Sequence, residues 1–232
     1  MEGYGLGTKG GQASLNHRES ISIIEYAERN RAQKGEGVNA FSVSRYRQFA
    51  RYIPREAQVI VDVGCNIGLG AEPLRAAAPS ARLVGIDCVP ERVAAARESF
   101  DEALLASATK LPLDTASVCV VTAGELIEHL TPADAERFVA EARRVLRPTG
   151  RMIITTPNPN YVKLKLMNRS VLDDPAHLSQ FTAGELKRLL QRHEMRAIAI
   201  RGTGRVSEVI GTFVPVLSVY GSLMLVGMVG GG

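Results

Sequence analysis

The stretch Val59-Ile-Val-Asp62-Val-Gly64-Cys65-Asn66-Ile67-Gly68-Leu69-Gly70 joins an apolar run to three glycines, and Asp87 closes the next apolar run. Glycine at 64 and 68 lets the chain turn sharply, so that backbone N–H groups and the start of a following helix face a ligand. A carboxylate about 20 residues further on, at the tip of the second strand, sits where it can accept both hydroxyls of a ribose. The pair points to a nucleoside-containing cofactor. A dinucleotide fingerprint starting at Gly64 would need glycine at 66 and 69, where this chain has Asn66 and Leu69. A tight pyrophosphate turn, and with it a nicotinamide oxidoreductase, is therefore poorly supported. Asp62, ahead of the first glycine, is placed to meet a cationic or amino-bearing ligand.

Elements that would position these residues follow from the apolar pattern. Gln58–Gly64 reads as a buried strand that enters the glycine turn and a helix through Leu74 to Ala78. Arg82–Asp87 is a second strand, Pro90–Phe100 a helix, and short strands fall near Ala103–Ala106 and Ser117–Thr122. Thr131-Pro-Ala-Asp134 combines an N-cap, a first-turn proline and an acidic residue, opening a helix with Phe138, Val139, Ala142 and Val145 on one face. A fifth strand spans Arg151–Thr156, a polar loop 157–180, and a helix capped by Thr182 and Glu185 runs to near Glu194. Arg196–Ile200 is a sixth strand. Alternation at this spacing predicts an α/β fold with a doubly wound, mostly parallel sheet, seven-stranded once the tail is counted.

The two ends carry the remaining expectations. Asn16 and Glu19 read as the start of a helix bearing Ile21, Ile23, Ile24 and Ala27, ended by Gly35 and Gly37. A second helix, Ser42–Ile53, presents Val43, Tyr46, Phe49, Ala50 and Ile53 on one face. Residues 1–54 are thus expected to form an arm and a helical cap, and residues 55–232 the cofactor-binding domain. From Val209 to Gly232 no residue is charged. Pro215, several glycines and serines, and the β-branched content favour a buried strand near Leu223–Val229; the competing reading is a peripheral contact with a membrane.

Taken in order, Asp62-x-Gly64-x-x-x-Gly68, Asp87, Leu111-Pro-Leu-Asp114, Glu125-Leu-Ile-Glu-His129 and Arg143-Arg-Val-Leu-Arg-Pro-Thr-Gly150 resemble a class I S-adenosylmethionine-dependent methyltransferase. The similarity is to the group that includes ubiquinone- and menaquinone-biosynthesis enzymes and sugar or natural-product methyltransferases, over residues 56–200. It implies a Rossmann-like methyltransferase fold and S-adenosyl-L-methionine as cofactor. Asp62, Gly64, Cys65, Asn66 and Gly68 would hold its methionine part, Asp87 its ribose, and Cys88 would lie beside the adenine. Ala123 would offer its carbonyl to the methionine amino group. Ser107 stands where the family commonly has an aspartate for the adenine amino group, which implies either that this contact passes to the Ala108 amide or that adenine is held more weakly.

Methyl transfer to a hydroxyl also needs a base, and histidine is the natural one. His129 and His177 fall in loops after strands on the cofactor side; His17 and His193 read as surface or helix-end residues. Asn158-Pro-Asn-Tyr161 resembles a motif of amino-group methyltransferases but follows the fifth strand instead of the fourth. Asp173-Asp174 reads as turn chemistry, so no metal is expected. The acceptor is expected to be a small molecule or glycan, methylated on oxygen. Methylation of nitrogen or carbon on a quinone-like or amine acceptor, and a non-catalytic cofactor-binding partner subunit, stand as alternatives. The oligomeric state is left open.

Composition narrows the class. The chain has 232 residues, 45% hydrophobic and 22% charged, a balance that excludes wholesale disorder. Three cysteines without an apolar leader read as reduced thiols in a cytoplasmic-type compartment, too dispersed for a zinc site. The net charge of +4 is spread along the chain, unlike the concentrated charge of a nucleic-acid binder. Its densest group, Arg45, Arg47, Arg51 and Arg55, reads as a solvated helix face, with an anionic-substrate or lipid-headgroup patch as the alternative.

Overall fold

Alternate residues of the first strand face two different apolar layers, which is why the run around Asp62 is apolar on both sides. In the computed structural model, which describes residues 21–32, 40–204, 207 and 216–230, this strand is β1, Val59–Val63. The others are β2 (Arg82–Asp87), β3 (Glu102–Leu105), β4 (Val118–Gly124), β5 (Leu146–Pro157), β6 (Met195–Thr203) and β7 (Ser222–Val229). They form one sheet in the order β3-β2-β1-β4-β5-β7-β6. Pairing is parallel from β3 to β5, and β7 runs antiparallel to both β5 and β6. The parallel part reverses its winding between β1 and β4, and the strand C-termini there open onto a crevice.

Helices α1 (Ile23–Ala32) and α2 (Ala40–Ala50) precede the sheet, and α3 (Ala71–Ala77), α4 (Pro90–Ala96), α5 (Pro132–Val145), α6 (Val162–Leu166) and α7 (Ala183–Arg192) interrupt it. Val61 and Val63 join Tyr26 of α1, Phe138 and Val139 of α5 and Leu186 and Leu189 of α7 in one core layer. Ile60 joins Phe49 of α2, Leu74 of α3 and Val93 of α4 in the other. The face expected for α5 is the buried one: Phe138, Val139, Ala142 and Val145 have no accessible surface. Burying Phe138 and Val139 contributes about 1.5–3 kcal/mol each. The capping box of α7 forms as read, with Glu185 N–H donating to Thr182 Oγ1 and Thr182 N–H to Glu185 Oε2.

Two expectations are corrected, and a third, the buried strand near the end of the chain, is met. The face of α1 that packs inward is Tyr26 and Ala27, whereas Ile24 is 68% exposed. Hydrogen bonding decides this: Tyr26 Oη donates to Asp134 Oδ2 at 2.7 Å and accepts from Thr131 N–H, which locks α1 onto the start of α5. The Asn16–Glu19 start and the Gly35–Gly37 end lie outside the described residues; Ser22 caps the described helix by accepting from Glu25 N–H. In the polar loop, α6 and a short helical turn at Val171–Asp173 are present. The uncharged tail resolves at Ser222–Val229 into β7, buried and hydrogen-bonded on both edges, so this part is strand and does not meet a membrane. Among the described residues no helix is long and apolar enough to cross one.

Asn158 explains the Asn-Pro-Asn-Tyr stretch. Its amide donates to the carbonyls of Leu217 and Tyr220, and its Oδ1 accepts from Asn160 N–H. The motif is a clasp between the end of β5 and the chain before β7.

Candidate active site

A cavity of about 1230 Å³ lies along the strand C-termini, roofed by α1 and by residues 174–177. Its floor is the turn after β1. Gly64 takes φ +74°, a left-handed conformation that side chains disfavour, and an added Cβ there would stand 3.1 Å from Leu126. The Gly64 and Cys65 N–H groups both donate to the Ile86 carbonyl, which ties the turn to β2. Gly70, at the start of α3, lies against the ring of Tyr46, where a Cβ would approach to 2.5 Å.

Asp87 stands at the tip of β2 on the cavity wall. Its Oδ2 accepts from Asn66 N–H at 3.0 Å and its Oδ1 from Val89 N–H at 2.9 Å. Burial pushes its carboxyl above the usual range, against those hydrogen bonds and the charge of Arg92. A carboxylate oxygen has capacity for a second hydrogen bond, so each can still accept one from a vicinal diol.

Of the other residues expected from the sequence, Gly64, Cys65, Asn66, Cys88, Ser107, Ala108, His129 and His177 line the same cavity. Three do not. Asp62 is fully buried beneath the turn: Tyr46 Oη donates to its Oδ2 at 2.8 Å and Thr122 Oγ1 to its Oδ1 at 2.7 Å. It braces α2 and β4 against the turn instead of facing a ligand. Gly68 packs on Ala96 and Ser99, and Ala123 is inside the sheet, the wall beside it being Gly124. Ser107 spends its hydroxyl on Thr109, at 2.8 Å.

Burial raises the Asp62 carboxyl to about 7, with Tyr46 and Thr122 opposing the shift. Between pH ~4 and ~7 the folded state then holds a proton that the unfolded state has released, so Asp62 makes stability fall as pH rises through that window. Asp62→Asn removes this dependence. Denaturant unfolding at pH 4.5 and 7.5 should show the variant gaining on the wild type by about 3 kcal/mol between the two. An unchanged difference would contradict the buried, proton-holding role.

Sequence reasoning missed Arg45. Arg47, Arg51 and Arg55 are exposed, as a solvated face requires, but Arg45 is 7% exposed and lines the cavity. Its Nε lies 3.9 Å from Glu125, and its charge also favours the ionised forms of Asp62 and Glu128. The available signal was its place next to Tyr46 and one turn before Phe49, on the apolar side of α2.

The two histidines, far apart in sequence, converge. Their ring centroids are 5.0 Å apart, His129 Nδ1 is 3.1 Å from the Ala176 carbonyl, and His177 Nδ1 is 2.7 Å from the Val171 carbonyl. A carbonyl partner places the proton on Nδ1 and leaves Nε2 as the basic nitrogen. Burial, with the charge of His177, lowers His129 to about 4. Asp174 Oδ2 lies 3.9 Å from His177 Nε2. Glu128, without accessible surface, accepts from Thr156 Oγ1 and is pushed well above the carboxylate range by burial and by Glu125. Ligand atoms of Glu128, His129 and His177 lie within 4.8 Å of one another, a grouping that could also hold a metal ion, where the sequence led us to expect none. His193 is paired with Glu136 away from this cavity.

Sheet order, the antiparallel β7 and the crevice at the turn after β1 together define, among the described residues, a Rossmann-like methyltransferase fold. Comparison with known proteins agrees. Residues 61–154 match the family profile described as a methyltransferase domain. A probable S-adenosylmethionine-dependent methyltransferase of Mycobacterium tuberculosis is 34% identical over 145 residues, 61% of this chain and 50% of that protein. The mitochondrial ubiquinone biosynthesis O-methyltransferase of Bos taurus is 34% identical over 123 residues, 49% of this chain and 32% of that one. A solved S-adenosylmethionine-dependent methyltransferase from Archaeoglobus fulgidus superposes with a TM-score of 0.67 at 18% identity, covering 86% of this chain and 98% of its own. The chain spans about half the length, or less, of the curated relatives it matches. Over residues 61–154 the chain thus carries a methyltransferase domain, similar in sequence and fold to S-adenosylmethionine-dependent methyltransferases.

Proposed function

We propose that this chain transfers the methyl group of S-adenosylmethionine to a hydroxyl of a small acceptor such as a sugar, a glycan or a natural product. The observation that carries the reading is the meeting of His129 and His177 in the same cavity as the Gly64 turn and Asp87. Asp87 is assigned to the ribose hydroxyls, since each of its oxygens keeps capacity for one more hydrogen bond. Arg45 is assigned to the methionine carboxylate, a buried guanidinium beside the turn being suited to an anionic group. Gly124 replaces Ala123 as the residue offered to the amino group, and Cys88 and Ala108 flank the base.

The bound cofactor supplies an electrophilic methyl group; the chain supplies alignment, a dry wall and a base. His177 is assigned as that base. Its Nε2 is the basic nitrogen and Asp174 stands beside it to stabilise the protonated ring. His129, whose basicity burial suppresses, holds the Ala176 carbonyl and thereby the loop that carries His177. Oxygen as the acceptor atom is supported by this base and by the O-methyltransferase named among the relatives. Labelled S-adenosylmethionine offered with a panel of sugars, glycans, phenols and amines tests the reading. Label should pass to hydroxyl-bearing members and not to amines; transfer confined to amines would contradict it.

A further inference from the structure

Four of the ten large apolar side chains exposed on the described surface fall between residues 162 and 172: Val162, Leu166, Met167 and Leu172. Leu166 is 82% exposed and Met167 57%. A fifth, Val216, is 53% exposed beside the turn Leu217–Val219, against which α6 packs. Two stretches of chain thus present one apolar face, and a soluble surface rarely groups such side chains without use.

Charge indicates what covers it. Residues 158–172 contain Lys163, Lys165 and Arg169 and no acidic residue. Among the described residues the two lysines form no ion pair, while Arg169 pairs with Asp173. Apolar side chains flanked by unpaired lysines suit the boundary between headgroups and acyl chains, the lysine stems lying along the apolar layer and their ammonium groups reaching anionic headgroups. A symmetric contact between two copies would instead set these lysines among their own counterparts. Position matters as well. The segment leaves the cavity wall at Pro157 and rejoins it at Asp174–His177, so a surface docked here borders the cavity mouth.

We infer that α6 and the adjoining residues 167–172 and 216 form an interfacial anchor that docks this chain on an anionic phospholipid bilayer. The inference does not rest on the methyl-transfer reading. It also moves the membrane contact considered for the tail, whose described strand is buried, to a different surface.

Sedimentation with vesicles tests it, using phosphatidylglycerol and phosphatidylcholine mixed in equal amounts against phosphatidylcholine alone. The chain should co-sediment with the anionic vesicles and be released by high salt. Lys163→Gln with Lys165→Gln should bind them about 30-fold more weakly, the equivalent of about 1 kcal/mol for each lysine. Leu166→Ser with Met167→Ser should weaken binding at least about tenfold. Both pairs are exposed, so the variants should melt as the wild type does and bind S-adenosylhomocysteine equally well, which separates this test from that of the cofactor site. Equal binding to neutral vesicles, binding that neither variant changes, or no binding at all would overturn the proposal. Self-association abolished by Leu166→Ser with Met167→Ser, without vesicle binding, would assign the face to a second copy and overturn it equally.

Discussion

Replacing Asp87 by alanine should weaken binding of S-adenosylhomocysteine by on the order of 100-fold or more. The carboxylate is assigned two ribose hydroxyls, and hydrogen bonds to a charged group are worth about 1.5–3 kcal/mol each. Part of the loss is indirect. Asp87 also accepts from the Asn66 and Val89 N–H groups, so its removal loosens the turn that forms the cavity floor. Asp87→Asn separates the two effects: it keeps the volume but loses the charge and half the accepting capacity, and should weaken binding at least about tenfold. Calorimetric titration of the three proteins reads the series directly. Equal affinities would remove Asp87 from the cofactor site.

His177→Ala should lower turnover by roughly 10²–10⁴-fold, the range a positioned general base contributes, with affinity for S-adenosylhomocysteine unchanged. The split follows from geometry: His177 sits on residues 174–177 that roof the cavity, while the turn after β1 forms its floor and Asp87 stands on its wall. His129→Asn should act through His177. It loosens the Ala176 contact and should lower turnover by less than His177→Ala does, again with affinity for S-adenosylhomocysteine unchanged. Steady-state rates with an acceptor taken from the panel, beside calorimetric titration with S-adenosylhomocysteine, give both readouts. Full activity in His177→Ala would contradict its role as base.

Much of the fold was legible because its signals are local. Thr131-Pro-Ala-Asp134 and Thr182-x-x-Glu185 each mark a helix start through contacts within a single turn, and both form. The run Arg82–Asp87 is a strand with the bounds expected, since apolar burial on both faces leaves little choice. What escaped depends on partners far along the chain. Asp134 reads as a first-turn acid, yet its Oδ2 takes the Tyr26 hydroxyl from α1, and nothing near residue 134 announces that. The inward face of α1 was misjudged for the same reason, because isoleucine at 23 and 24 outweighs one tyrosine in any count of apolar residues.

The candidate site divides in the same way. The places of Gly64 and Asp87 on the cavity were readable, since a glycine turn after one strand and a carboxylate at the tip of the next are local signals. Asp62 was placed in the right neighbourhood and given the wrong task, since only the fold shows Tyr46 and Thr122 taking both of its oxygens. Arg45 was hidden among three exposed arginines, one on the same helix and two just after it. His129 and His177 were each readable as candidates, but their meeting depends on the loop after β5 folding back over the turn after β4.

Titration of the wild-type chain with S-adenosylhomocysteine, alongside an identical titration with NAD, tests the central claim most directly. One-to-one binding of S-adenosylhomocysteine with no heat from NAD is the predicted result. No binding of S-adenosylhomocysteine, or NAD bound in its place, would contradict the assignment of this crevice to the methyl donor.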